Sequence, residues 1–452
     1  MAILKTTGGF SMDHDEKLPL REKLAFGFAG LGQNIIYNFV ATFLMIFYTD
    51  HLGLLPVTVG VLMLVSKVWD AVNDPIMGSI VDRTHTKHGK LRPWLFWVPI
   101  PMIITTILLF YAPSFDYGLK VLYAYITFIL WDMVFTVSDV PYWGLSAAMT
   151  RNPKERLSLV TMARILCNLG MAVSIILPPL MFAMFPDQKS GYFWTTVILV
   201  TIGGMLFYLA SIGTKERVRD TEPPESFFKN LGLLLKNKPL LALQSSRMLG
   251  AFRMVLGIAG TYFAKYNMGD EAYFSLLGGI LIASMIAAMF ITPFFTKRYS
   301  KKTMYNASLL LGAFSHLAMF FIGYGNLVIV FGLLFLCGMS LGMNDVITYT
   351  MVGDSVDYLQ WKTNRRTEGL CFSLHTFTTK LQSAIGSFWI GIVLTYVGFV
   401  ENTAQTAFAL TGIFSLISVF PAIAAVLSIL PMFFYDLTEK KHEAILIEIE
   451  AR

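Results

Sequence analysis

Four polar side chains, Lys67, Asp70, Asn73 and Asp74, interrupt an otherwise apolar stretch of this 452-residue chain. At i, i+3, i+6 and i+7 they cover one side of a helix, so two carboxylates and an amide face a common space with a lysine one turn away. Carboxylate, amide and carbonyl oxygens suit a hard cation such as sodium, and an unpaired carboxylate there can instead carry a proton. Pro75 cannot hydrogen-bond the carbonyl of Ala71, which leaves that oxygen beside the carboxylates. A second segment repeats the arrangement: Asp132, Thr136, Asp139 and Trp143 step by four, three and four, next to Trp131, with Pro141 freeing the Val137 carbonyl. An indole among hydrogen-bonding groups suits a sugar, which has an apolar C–H face and a polar rim.

An ionisable group at the centre of a bilayer costs at least about 2.5 kcal/mol, so its default reading is functional. Both carboxylate segments are expected to be proline-interrupted turns flanking a polar cavity. The compensating cations are expected to be Arg164 and Lys380, with Arg247 and Arg253 as further candidates. The competing reading, ion pairs that merely offset one another, fits isolated groups better than the cluster of Asp70, Asp74 and Asp139. Arg247 reads equally well as a side chain snorkelling to the surface. The lone His316 and His375 read as satisfied packing groups, and Asp345 fits either description.

The elements that must position these groups follow from composition. The chain is 55% hydrophobic and 14% charged, against about 25% charged for a soluble domain. Twelve helices of about 20 residues need about 240 bilayer positions, close to the apolar content. A water-soluble enzyme, a disordered chain and a fibre are excluded, and long unbroken apolar runs exclude an outer-membrane barrel. Spans are expected near 24–49, 55–81, 94–113, 119–149, 159–184 and 192–213, then near 240–267, 271–296, 304–324, 327–350, 369–399 and 404–435. This is an all-α membrane protein with two six-helix bundles: residues 1–213 and 240–436, a cytoplasmic linker at 214–239, and a cytoplasmic tail at 437–452. Phe227, Phe228, Leu231, Leu234 and Leu235 in the linker have the spacing of a surface helix.

Loop charge sets the expected orientation. Arg83, Lys87, Lys90 and Arg92; Arg151, Lys154 and Arg156; Lys297, Arg298, Lys301 and Lys302; and Lys362, Arg365 and Arg366 mark cytoplasmic loops. The alternate loops are short and nearly free of basic residues, and both termini come out inside. The net charge of +6 therefore orients the chain, and no nucleic-acid partner is expected. The first 23 residues are charged and lack an apolar core, so no cleavable leader is expected. Trp94 and Trp97 read as interface anchors. Cys167, Cys337 and Cys371 lack metal-ligand spacing, and no Walker, HExxH, nucleophile-elbow or Rossmann motif occurs.

The run Trp69-Asp70-Ala71-Val72-Asn73-Asp74-Pro75-Ile76-Met77-Gly78, followed by Gly89-Lys90-Leu91-Arg92-Pro93-Trp94, resembles the span 2 and loop signature of the glycoside/pentoside/hexuronide:cation symporters, a branch of the major facilitator superfamily. Phe47-Tyr48-Thr49-Asp50, Asp139-Val140-Pro141-Tyr142-Trp143, Asp354-Ser355-Val356-Asp357-Tyr358, Trp361-Lys362-Thr363 and Glu368-Gly369 extend the likeness over nearly the whole chain. The resemblance implies a major facilitator fold. It implies that Asp70 and Asp74 form the coupling-cation site, with Asn73 and Thr136 beside them. It places Asp139, Trp143 and Arg164 where melibiose symporters contact sugar, and Lys380 at their span 11 lysine. The departure lies in span 1, where Gln33 and Asn34 stand in place of a Lys-Asp pair, and Phe135 replaces a tyrosine. A galactoside preference is thereby disfavoured. Amides in span 1 with Arg164 and Lys380 retained point toward an anionic sugar.

The expected activity is cation-coupled import of a glycoside or hexuronide by a monomeric inner-membrane symporter, with sodium or a proton as coupling ion and no cofactor. Surrounding membrane lipids are its other contacts. The segment 354–368 and the basic loop after span 2 are expected to gate the cytoplasmic side by charge contacts between the bundles. A lysolipid symporter of the same fold and a sugar sensor that transports nothing are the alternatives.

Overall fold

The computed structural model describes residues 17–84, 86–87, 89–150, 152–218, 232–296, 298–364 and 368–450. The surface helix expected around Phe227 and Phe228 lies outside the described residues, as do Arg151, Lys297, Arg365 and Arg366. The first half comprises α1 (Leu20–Asp50), α2 (Pro56–Asp82), α3 (Arg92–Trp97), α4 (Pro99–Leu109), α5 (Tyr117–Met149), α6 (Pro153–Phe182) and α7 (Gln188–Gly213). The second comprises α8 (Lys238–Leu249), α9 (Leu256–Tyr262), α10 (Tyr273–Thr296), α11 (Lys301–Ile322), α12 (Leu327–Thr363), α13 (Glu368–Tyr396), α14 (Ala407–Ile417) and α15 (Val419–Ile429), with α16 (Glu439–Glu450) beyond them.

Each half makes six passes. Among the described residues, eight helical stretches are long and apolar enough to cross a membrane. The remaining passes are span 2 with its charges, span 11 with Lys380, and spans 3 and 7, which are broken. Span 3 breaks between α3 and α4 at Val98, because Pro99 and Pro101 have no N–H to give. Span 7 passes from α8 through a 3-10 turn, Ala251–Val255, into α9 and a π turn, Phe263–Asn267. Span 12 breaks at Ser418, three residues before Pro421. Pro421 cannot bond the Ile417 carbonyl, and His316 takes that role with its Nδ1 at 2.9 Å. His316 is thus the satisfied packing group that its sequence context suggests.

Two expectations are corrected. Neither Pro75 nor Pro141 interrupts its helix, for α2 and α5 are continuous through them; each proline removes one hydrogen bond, which a long packed helix absorbs. The stretch after Met351, expected as a loop, continues α12 to Thr363. Val356, Tyr358 and Leu359 bury in a core shared with Ile445 of α16, which favours helix there, and Asn364 closes it in the left-handed conformation with φ 55°.

Small residues let helices approach closely. A Cβ on Gly32 of α1 would collide with the Gly203 carbonyl of α7. The halves meet near the end of the bundle that bears Asp50: Ser275 Oγ donates to the Ile176 carbonyl at 2.7 Å, Thr49 and Tyr262 share a 2.9 Å hydrogen bond, and a Cβ on Gly60 would lie 3.0 Å from the Phe388 Cα. Trp97, Phe290, Phe294 and Phe434 present large apolar surfaces outward, as a lipid-facing belt requires. Trp94 donates to Thr84 Oγ1 at 3.1 Å.

Candidate functional site

Helical periodicity places Lys67, Asp70 and Asp74 on one face of α2, and the two neighbouring helices supply their partners. Lys67 Nζ lies 2.9 Å from Asp70 and 3.2 Å from Asp132 of α5. Ser66 Oγ donates to the other Asp132 oxygen at 2.7 Å. From the second half, Lys380 of α13 reaches across to Asp74 at 2.5 Å and Asp70 at 3.6 Å. Thr136 of α5 donates to Asp74 Oδ1 at 3.1 Å. The cluster therefore holds three carboxylates against two lysines. Asp70 Oδ1 and the Asn73 amide nitrogen are buried and have no hydrogen-bond partner among the described residues. The Asp74 side chain is 36% exposed and that of Asp70 4%, so Asp74 forms the mouth of the cluster and Asp70 its floor.

Beside it, Gln33 of α1 donates to Ser138 Oγ at 3.0 Å and to Asp139 Oδ1 at 3.3 Å. Asn34 donates to its own Gly30 carbonyl at 3.0 Å and receives Asn38. Arg164 of α6 is corrected from an ion-pair partner to a stacked one: its guanidinium sits 4.5 Å from the Trp143 ring centre, and among the described residues no carboxylate lies within ion-pairing distance. Lys67 does the neutralising instead. Trp131 points away, donating to Thr106 Oγ1 at 3.0 Å. The structure thus unites Asp70, Asp74, Thr136 and Lys380 directly, pairs Gln33 with Asp139 and Trp143 with Arg164, and leaves Asn34 on its own helix. Ser66 and Ser138 escaped sequence reasoning, since a hydroxyl in an apolar helix ordinarily bonds its own backbone.

At the Asp50 end the halves are tied by a second polar group. Lys265 Nζ lies 2.5 Å from Asp50 and 3.3 Å from Glu271. Tyr266 OH donates to Asp50 at 2.5 Å, and Asn402 donates to the Asp50 carbonyl at 2.6 Å. Burial raises the Glu271 carboxyl above its ordinary range, against the lowering pull of Lys265. A 410 Å³ surface depression lined by Lys265, Glu271 and Asn402 covers the group. At the opposite end, Asp354 pairs with Lys301 and Asp357 with His442 at 2.9 Å. Lys301 lies in the same half as Asp354, and His442 lies on α16 beyond it.

Residues 25–439 match the family described as MFS/sugar transport protein. The chain is 33% identical over 454 residues to an uncharacterised symporter, YnaJ, of Bacillus subtilis (strain 168), spanning 97% of this chain and 96% of that protein. It is 30% identical over 458 residues to the isoprimeverose transporter of Lactiplantibacillus pentosus, spanning 98% and 94%. Among solved structures, a bacterial homologue of the human lysosomal transporter Spinster, inward-facing and unoccupied, superposes with a TM-score of 0.70 at 12% identity over 93% of this chain and 98% of that one; that likeness shows the fold.

Proposed function

Because the chain belongs to the MFS/sugar transport protein family, a multi-pass membrane transporter and not an enzyme, we propose that it couples inward movement of a sodium ion or a proton to import of a glycoside or hexuronide. The observation that carries this reading is the charge deficit between the halves: three carboxylates, two lysines and a buried, unpartnered Asp70 oxygen. One added cation balances the cluster. Asp70 and Asp74 are its ligands, with Asn73 and Thr136 beside them; where the ion is sodium, the two carboxylates coordinate it. Binding alone supplies the coupling, and no cofactor takes part.

Sugar binds next to the cation site, against the Trp143 ring and the hydrogen-bonding rim of Gln33, Asn34, Asp139, Arg164 and Lys380. Cation binding releases Lys380 from part of its attraction to Asp74, so each ligand raises the affinity of the other by the same factor. The units that rock are residues 1–213 and 240–436. Basic loops at the end opposite Asp50 support a cytoplasmic side there, in an inner-membrane protein. The tied Asp50 end then faces outward and is closed. One chain completes the site, which supports a monomer.

Uptake into proteoliposomes under separate sodium and proton gradients, with a panel of neutral and acidic sugars, tests the proposal. Counterflow separates it from a sensor, and lysolipid uptake from a lipid carrier. Trp143→Ala is expected to weaken sugar affinity by at least about fivefold, the scale of a lost ring contact, with a smaller change in cation affinity, measured by titration of each ligand in the purified protein. The reverse order of losses would remove Trp143 from the sugar site.

A further inference from the structure

The second half carries a cationic cluster that the cation site does not use. Arg247 of α8 is half-buried, with Nη1 2.5 Å from His375 Nδ1 and Nη2 donating to Thr379 Oγ1 at 2.9 Å. A guanidinium has no acceptor, so His375 Nδ1 accepts and the ring is neutral. His375, expected as a packing group, is therefore an orienting one; its other neighbour is the Tyr349 ring at 4.8 Å. Arg253, on the 3-10 turn that follows, is 7% exposed and donates to Ser340 Oγ at 3.3 Å. Neither guanidinium has a carboxylate within ion-pairing distance among the described residues; Asp345 lies within electrostatic reach of Arg247 without pairing.

Three further observations point to a ligand. Gln244 lies one turn from Arg247 on the same face of α8, is 5% exposed, and has no partner for either amide atom among the described residues. Gln382 donates to the Arg247 carbonyl and leaves its own Oε1 buried and unpartnered. From the other half, Arg164 lies within electrostatic reach of both Asp345 and His375. Arg164 of the first half and Arg247 of the second thus both lie within electrostatic reach of Asp345 and His375, each held by neutral neighbours. Lys380, the cation that sequence reasoning reserved for an anionic sugar, is occupied by Asp74 and Asp70.

We propose that Arg247, oriented by His375 and Thr379, is the second-half ligand for the carboxylate of an acidic sugar. The inference rests on the reading of the chain as a cation-coupled sugar carrier and deepens it. Three of the five guanidinium donors are spent, on His375 Nδ1, the His375 carbonyl and Thr379 Oγ1, and the Nε–Nη2 edge of the planar fork remains to meet a carboxylate. The Gln244 amide adds a donor beside it. A sugar held by its ring on Trp143 and by its acid group on Arg247 touches both halves, and that favours the closed conformation over either open one.

The test uses the full chain in proteoliposomes, with methyl glucuronide and methyl glucoside as probes differing only at C6. Wild type is expected to prefer the glucuronide. Arg247→Gln is expected to lower the glucuronide-to-glucoside ratio of apparent affinities at least about tenfold, the scale of a lost charge-assisted hydrogen bond. Arg247→Lys keeps the charge, loses the fork and is expected in between. Cation stimulation of glucoside uptake reports that each variant is folded. A wild-type ratio in both variants, or equal losses for the two sugars, overturns the assignment. So does a wild type that prefers the glucoside, while leaving cation-coupled sugar transport standing. Failure of wild type to take up either sugar in a panel that includes neutral and acidic glycosides removes both the carrier reading and the subsite.

Discussion

Asp74→Asn is expected to abolish stimulation of sugar uptake by the coupling cation while leaving sugar exchange across the membrane in place. The cluster then holds two carboxylates, Asp70 and Asp132, against Lys67 and Lys380, and its deficit of one positive charge disappears. A neutral cluster has no net attraction for a further cation. Asp74 is also the carboxylate at the mouth, 36% exposed, and it holds Thr136 and Lys380 in place. Loss of one charged ligand oxygen pair from the site is worth about 1.5–3 kcal/mol, so cation affinity is expected to fall at least about tenfold. Asp70→Asn is expected to act in the same direction with greater damage to folding, because Asp70 touches both lysines. Gradient-driven uptake and counterflow, measured side by side, separate coupling from carriage. Full sodium or proton stimulation in either variant would falsify the assignment of that carboxylate.

The face that carries the cation site was legible because it rests on helical periodicity alone. Residues 67, 70, 73 and 74 share a side of any helix, and the same holds for 132, 136, 139 and 143. Partnership across helices was not legible, since nothing local in the sequence says that Lys67 meets Asp132 or that Lys380 reaches Asp74 from 306 residues away. Arg164 shows the consequence: its charge suggested an ion pair, whereas its place on α6 set it against an indole. Prolines were misread for a related reason. Pro141 and Pro75 lie inside long helices that run on through them, while Pro99 and Pro421 sit at breaks, the second marked by a histidine from another helix. The Arg247 cluster was half visible: the arginine stood out, but whether it snorkels or turns inward depends on His375 and Thr379, supplied by α13.

The tie at the Asp50 end yields the second large effect. Asp50 is wholly buried at its side chain and accepts from Lys265 and Tyr266, while Asn402 holds its backbone carbonyl. These partners belong to the second half and Asp50 to the first, so every contact must break before that end can open. Asp50→Asn leaves Lys265 with Glu271, a neighbour in its own half, and removes most of the charge attraction across the gap. A loss of about 3–5 kcal/mol for a broken buried pair shifts a two-state equilibrium by a factor of a hundred or more. The state closed at the Asp50 end is then expected to give way to one open there, and turnover to slow because the carrier no longer closes that end readily. Spin labels at Leu55 and Thr403, exposed positions in the two halves at that end, measure the change directly. Their distance distribution is expected to lengthen in Asp50→Asn. A distribution identical to that of the parent protein would show that packing of α2 on α13, through Gly60 and Phe388, holds the end shut without the ion pair.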